Sequence, residues 1–135
     1  MSKLNVSGYR GIWGDTLTPE IVAGYARAFA LFTKEISKKE NPVILIGRDG
    51  RESGPAIREV VIEELKNMGV EVVDGDILPT PTVLFSVRKH RYDGAVIITA
   101  SHNPIEYNGL KFVNGQALFT IDNEVTKINE YYEHS

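Results

Sequence analysis

Apolar positions along this chain alternate between helical stripes and short continuous runs. Thr18 suits a helix N-cap and Pro19 the first helical position. Ile21, Tyr25, Phe29, Phe32 and Ile36 then recur at helical spacing, which predicts a helix with one buried face. Asn41-Pro42 ends it. Val43 to Ile46 is a β-rich apolar run, as a strand covered on both faces requires. The polar turn Gly47-Arg48-Asp49-Gly50-Arg51 follows. Ser53 suits the cap of a second helix with inner stripe Ile57, Val60, Val61, Leu65 and Met68, and Gly69 suits its C′ stop. Val70 to Val73 reads as the next strand. Pro79 and Pro81 bracket a loop before a short helix containing Val83, Leu84 and Val87. Ala95 to Thr99 predicts another buried strand, which runs straight into Ala100-Ser101-His102-Asn103-Pro104. Leu110 to Val113 predicts a strand, and Ile121, Val125, Ile128 and Tyr132 a last amphipathic helix.

This βαβ alternation predicts an α/β fold: a three-layer α/β/α sandwich around an open, mostly parallel (mixed) sheet. In such sheets ligands meet the loops at the carboxyl ends of the strands. Three polar loops hold such positions, after Ile46, after Val73 and after Thr99. With 135 residues the chain is the size of one domain, 1–135, and can bury a core without disulfides or metals. Net charge is −3, which speaks against nucleic acid and anionic membranes as partners. No stretch approaches the roughly 18 apolar residues of a membrane span, and the first residues lack the apolar run of a signal peptide. There are no cysteines, so a thiol nucleophile and a Cys-ligated zinc site are excluded. These features together suit a cytoplasmic protein. No Gly-Lys-Ser/Thr phosphate loop and no Gly-x-Gly-x-x-Gly is present, which weakens a nucleotide-binding reading.

Ser101 follows a buried strand and precedes Pro104, so its base is fixed and its backbone limited. A serine on such a bend can present its hydroxyl to a ligand, given activation or a charged partner. The adjacent His102 is not evidence for a Ser-His dyad, because such pairs are defined by spatial geometry. The residues alone leave a second reading open, in which Ser and Asn side chains merely brace a turn.

Thr99-Ala100-Ser101-His102-Asn103-Pro104 with Glu106-Tyr107-Asn108-Gly109-Leu110-Lys111-Phe112 resembles the phosphoserine loop of the α-D-phosphohexomutases. Gly8-Tyr9-Arg10-Gly11 with Leu17-Thr18-Pro19-Glu20 is similar to that family's N-terminal segment. Gly47 to Gly54 resembles its first Gly-Arg-Asp loop, and Pro79-Thr80-Pro81 its Thr-Pro loop. The four motifs stand in the family's order and cover nearly the whole chain. The resemblance is to domain I, the phosphoserine domain, of a four-domain enzyme that interconverts hexose 1-phosphates and 6-phosphates through a bisphosphate.

That resemblance implies a phosphoryl group on Ser101. It implies Lys111 as general acid/base or phosphoryl contact, and Arg10 as a phosphate-binding group. His102 and Asn103 would shape the loop or bond the phosphoserine from beside it. Arg48 and Asp49 could meet phosphate, though an internal ion pair bracing the loop suits them better. Mg²⁺ is implied as cofactor, with the Ser101 phosphate as one ligand and the others in a missing domain; hexose 1,6-bisphosphate is implied as activator. The implied partners are a hexose phosphate and the remaining domains of a parent enzyme. Asp74-Gly75-Asp76 lacks the third aspartate and the arginine of the family's magnesium loop, so no metal is assigned to it. Arg51-Glu52-Ser53-Gly54 likewise lacks the Thr-Glu of the C-terminal phosphate loop. The expectation is that this chain alone has no mutase activity. The alternative from a different class is a non-catalytic α/β module that binds an anion or regulates.

Overall fold

The structure, a computed structural model, describes residues 3–134. The elements run β1 (Tyr9–Ile12), α1 (Pro19–Ser37), β2 (Val43–Arg48), α2 (Gly54–Asn67), β3 (Glu71–Ile77), α3 (Thr80–His90), β4 (Gly94–Ile98), β5 (Tyr107–Val113) and α4 (Asp122–His134). They form one five-stranded sheet in the order β1-β5-β4-β2-β3. β2 pairs in parallel with β3 and β4, while β5 runs antiparallel to both β4 and β1. All strands except β5 therefore share one direction, as the mostly parallel, mixed sheet requires.

Alternate residues of each inner strand enter separate cores. Ile44, Ile46, Val96, Ile98, Leu110 and Phe112 face α1, α2 and α4. Leu45, Ala95, Ile97 and Val113 lie under Val83 and Val87 of α3 and under Ala117. Both faces are covered, which is why these strands read as unbroken apolar runs. Phe29 of α1 stacks on Phe112 with ring centroids 4.5 Å apart.

The helix ends follow local chemistry. Thr18 is extended and its Oγ1 accepts from the Ile21 N–H at 3.3 Å, the expected cap. Gly69, at φ +81°, lets the Val70 N–H return to the Leu65 carbonyl and stops α2. Several expectations need correction. Ser53 precedes α2 but makes no capping bond; its Oγ instead accepts from Asn108 Nδ2 at 2.9 Å. Ile36 is 61% exposed, because α1 buries nothing beyond Thr33. Ile121 lies before α4 and is exposed, its N–H donating to Glu124 Oε1 at 3.0 Å. Pro81 stands in the first turn of α3 rather than in a loop, where its missing N–H costs no helical bond. The strand β1, which sequence periodicity does not reveal, forms one edge of the sheet.

The beginning and end of the described chain meet at one phenol. Tyr25 Oη accepts from the Leu4 N–H at 3.2 Å and donates to Asn129 Oδ1 at 2.8 Å, and Asn129 Nδ2 donates to the Leu4 carbonyl at 3.0 Å. Tyr132 stacks on the Tyr25 ring at 3.9 Å, close against Gly24.

Candidate functional site

The segment between β4 and β5 is a loop with many backbone groups to satisfy. Thr99 stays on the sheet, its N–H donating to the Gly109 carbonyl at 3.0 Å. The chain then turns through Ser101, which adopts φ +54°. The Asn103 N–H closes the turn on the Ala100 carbonyl at 3.0 Å, and the Tyr107 N–H bonds the Pro104 carbonyl at 3.0 Å. Ser101 and His102 are exposed at the tip and Asn103 is half-buried.

The loop after β2 supports it from below. Asp49 is tied to β4 by its N–H, which donates to the Ile98 carbonyl at 3.1 Å. Its Oδ2 accepts from Thr99 Oγ1 at 2.7 Å, and that same hydroxyl accepts from the Ser101 N–H at 3.0 Å. Arg51 is buried beneath the loop and donates to four of its carbonyls. Nη2 reaches Ser101 and Asn103, each at 2.9 Å; Nη1 reaches Pro104 at 2.6 Å and Tyr107 at 2.8 Å. Asp49 in turn accepts from Arg51 Nε at 3.3 Å and from the Arg51 N–H at 3.1 Å. A non-glycine residue held at positive φ costs about 1–3 kcal/mol. Hydrogen bonds from a charged group contribute about 1.5–3 kcal/mol each, so the grip of Arg51 outweighs the strain at Ser101.

Arg10 and Lys111 approach from the other side. Arg10 of β1 stands opposite Gly109 of β5, where an added Cβ would come within 3.1 Å of Arg10 Cγ. The bare glycine gives the arginine its path. Arg10 Nη1 donates to Asn103 Oδ1 at 3.1 Å and Nη2 to the Ser7 carbonyl at 3.2 Å, while Nε is buried without a partner among the described residues. Gly8, at φ +98°, leaves room in the same way for Lys111 Cγ, which a Cβ there would meet at 2.8 Å. Lys111 Nζ lies 4.2 Å from the centre of the Phe119 ring. Burial, and secondarily the charge of Arg10, lower the Lys111 pKa below its ordinary 10.5.

Of the residues singled out in the sequence, Ser101, Asn103 and Arg10 thus meet at one loop, while Lys111 stands beside Gly8, its amine over the Phe119 ring and feeling the charge of Arg10. His102 is exposed and carries no hydrogen bond among the described residues. Arg48 does not pair with the Asp49 carboxylate. Its Nε instead donates to Asp76 Oδ1 at 2.8 Å, near the end of β3; only its Nη1 touches Asp49, at the carbonyl. Arg51 was the residue missed. Its four partners lie some fifty positions along the chain, and no local spacing signals such a reach. Among the described residues no group of three or more His, Cys, Asp or Glu could hold a metal ion. Asp74 and Asp76 are engaged by Arg58 and Arg48, and Asp49 by Arg51 and Thr99. These side chains do not make a Mg²⁺ site.

Comparison with known proteins gives the family and the fold. Residues 1–135 match the model of the family described as phosphoglucomutase/phosphomannomutase, alpha/beta/alpha domain I. The phosphoglucosamine mutase of Pediococcus pentosaceus is 44% identical over 106 residues, 78% of this chain and 24% of that protein. The phosphoglucosamine/phosphogalactosamine mutase of Sulfurisphaera tokodaii is 44% identical over 115 residues, 84% of this chain and 24% of that protein. A solved structure of a putative phosphomannomutase from Thermus thermophilus superposes with a TM-score of 0.87 at 27% identity, covering 98% of this chain and 30% of that one. The chain thus spans about a quarter of the length of the curated relatives it matches. No helix among the described residues is long and apolar enough to cross a membrane.

Proposed function

The chain belongs to the phosphoglucomutase/phosphomannomutase family as its α/β/α domain I, and from that premise we propose that Ser101 is the phosphoryl carrier of a hexose phosphate mutase. The observation that carries this reading is the state of Ser101: an exposed hydroxyl at a loop tip whose backbone N–H and carbonyl are both already bonded. What such a loop offers a ligand is the hydroxyl.

In the proposed cycle, phosphorylated Ser101 passes its phosphoryl group to a free hydroxyl of a hexose monophosphate. The P–O bond to Ser101 breaks, a P–O bond to the sugar forms, the sugar proton leaves to a base, and the freed Ser101 oxygen takes up a proton. The resulting 1,6-bisphosphate reorients and returns its other phosphoryl group to Ser101, with the protons moving in reverse. Free hexose 1,6-bisphosphate charges an empty Ser101 by the same second step. Lys111 is the candidate acid/base, since its lowered pKa brings the neutral amine nearer to working pH. Arg10 supplies fixed positive charge for phosphoryl oxygens. Asn103, bonded to Arg10, couples it to the loop. Arg48 supports the loop through the Asp49 carbonyl, and His102 borders the phosphoserine.

Among the described residues no set of side chains fits Mg²⁺. The Ser101 phosphate would offer it a donor, and the metal, when bound, would offset charge on the phosphoryl oxygens. The partners are a hexose phosphate and the rest of the parent enzyme, without which this domain is inactive; we place the enzyme in the cytoplasm. The names of the relatives make glucosamine phosphate the first sugar to try.

Intact mass and peptide mapping of the full-length enzyme, before and after hexose 1,6-bisphosphate, test the reading. One phosphoryl group on Ser101, absent from Ser101→Ala together with turnover, is expected. An active enzyme with Ser101 unmodified throughout its cycle would overturn it.

A further inference from the structure

Both main-chain polar groups of Ser101 lead back to the same pair of residues. The N–H reaches Asp49 through the Thr99 hydroxyl, and the carbonyl is held by Arg51. Asp49 and Arg51 are themselves joined by two hydrogen bonds. A guanidinium has five N–H donors, and all five of Arg51 are used: one on Asp49 and four on the carbonyls of Ser101, Asn103, Pro104 and Tyr107. None is left for a phosphate or a sugar. In this respect Arg51 differs from Arg10, whose Nε has no partner among the described residues.

The positive φ of Ser101 makes this clasp consequential. Released from it, a serine relaxes towards negative φ, and its Oγ swings away from the in-line position that phosphoryl transfer demands. We infer that Arg51, acting with Asp49 and Thr99, is the positioning residue for the carrier serine, setting the direction of Ser101 Oγ through the backbone while touching neither sugar nor phosphate. This rests on the carrier reading of Ser101 given above. The clasp adds no bond change of its own; it sets the geometry in which the serine P–O bond breaks and the sugar P–O bond forms.

Two measurements test it. In this chain, hydrogen exchange of the loop amides over 101–107 is compared between wild type, Arg51→Lys, Arg51→Met, Thr99→Val and Thr99→Ser. Arg51→Met and Thr99→Val are expected to speed loop exchange at least about tenfold while β2 and β4 amides keep their protection. Arg51→Lys fails to restore it, because one ammonium cannot span four carbonyls, whereas Thr99→Ser restores most of what Thr99→Val loses. In the full-length enzyme, Arg51→Lys and Thr99→Val are expected to lower kcat about 100-fold, with KM for the hexose phosphate within about twofold and the pH profile unmoved. Loop protection equal to wild type in Arg51→Met, kcat retained within threefold, or a loss carried by KM would each overturn the inference. Where Arg51→Met fails to fold, Thr99→Val, which removes a single hydroxyl, decides. A wild-type enzyme with no mutase turnover would sink the functional reading instead, and the exchange comparison would still decide whether the clasp exists.

Discussion

Replacing Gly109 with alanine should damage the site and the fold together. Gly109 lies in β5 directly opposite Arg10 of β1. An added Cβ would stand 2.2 Å from the Tyr9 carbonyl oxygen, 3.0 Å from that of Thr99 and 3.1 Å from Arg10 Cγ. The first two are backbone atoms, one in β1 and one just past the end of β4, and cannot rotate aside. Since Cβ atoms do not approach closer than 3.0 Å, β1 must retreat by about 1 Å. Overpacking of this kind costs about 1–3 kcal/mol, and each weakened β1–β5 hydrogen bond adds about 0.5–1.5 kcal/mol. We expect a loss of about 3 kcal/mol, or roughly 10 °C in Tm for a domain of this size. Urea denaturation followed by circular dichroism measures it. Gly50→Ala is the control, since a Cβ there meets nothing within 4 Å, and it should stay within about 0.5 kcal/mol of wild type. If Gly109→Ala is as mild as Gly50→Ala, β1 is not seated on Gly109 as described and the placement of Arg10 falls with it.

Arg10→Met should raise the Lys111 pKa towards 10.5 without reaching it, because burial, the larger cause, remains; an NMR titration of the lysine Cε resonance shows whether it moves. Between the lowered folded pKa and 10.5 the unfolded chain binds more protons at Lys111, so this group's contribution to stability rises with pH across that interval. Urea midpoints at a series of pH values should show a shallower rise in Arg10→Met. Phe29→Ala empties the stack on Phe112 at a fully buried position and should cost about 3–5 kcal/mol; a loss under about 1 kcal/mol would mean that the core closes over the gap. The Tyr131 hydroxyl donates to Glu35, raising its own pKa to about 12 and lowering that of Glu35. Tyr131→Phe should remove the phenol ionisation near pH 12 and return the Glu35 carboxyl towards 4.5. An unchanged Glu35 titration would show that Lys127, the other group lowering it, suffices alone.

The layered fold was legible because each inner strand is buried on both faces and each long helix on one. Continuous runs such as Val43 to Ile46 and stripes such as Tyr25-Phe29-Phe32 leave few alternatives. β1 was not legible: Tyr9-Arg10-Gly11-Ile12 is four residues long, carries a charge and a glycine, and owes its pairing to β5 across the sheet edge. Ile36 and Ile121 fit their helical periods, but period says nothing of where the neighbouring layer ends. Ser53 has the chemistry of a cap and was claimed by Asn108 instead. In the site, Ser101, Arg10 and Lys111 could be named because they stand in recognisable strings. Arg51 also stands in one, yet its role depends on a loop that only the folded sheet brings beneath its guanidinium. The partner of Arg48 is hidden for the same reason, since Asp76 arrives from β3.

The meeting of Leu4, Tyr25 and Asn129 makes the backbone almost a closed ring. Where a ring is opened matters less to its packing than that its layers stay in order. A circular permutant that joins residue 134 to residue 3 and opens instead at the exposed stretch Lys38 to Glu40, between α1 and β2, would keep every strand neighbour of the sheet. The opening strand's approach at Leu4 and the last helix at Asn129 are, in that sense, one place in the fold.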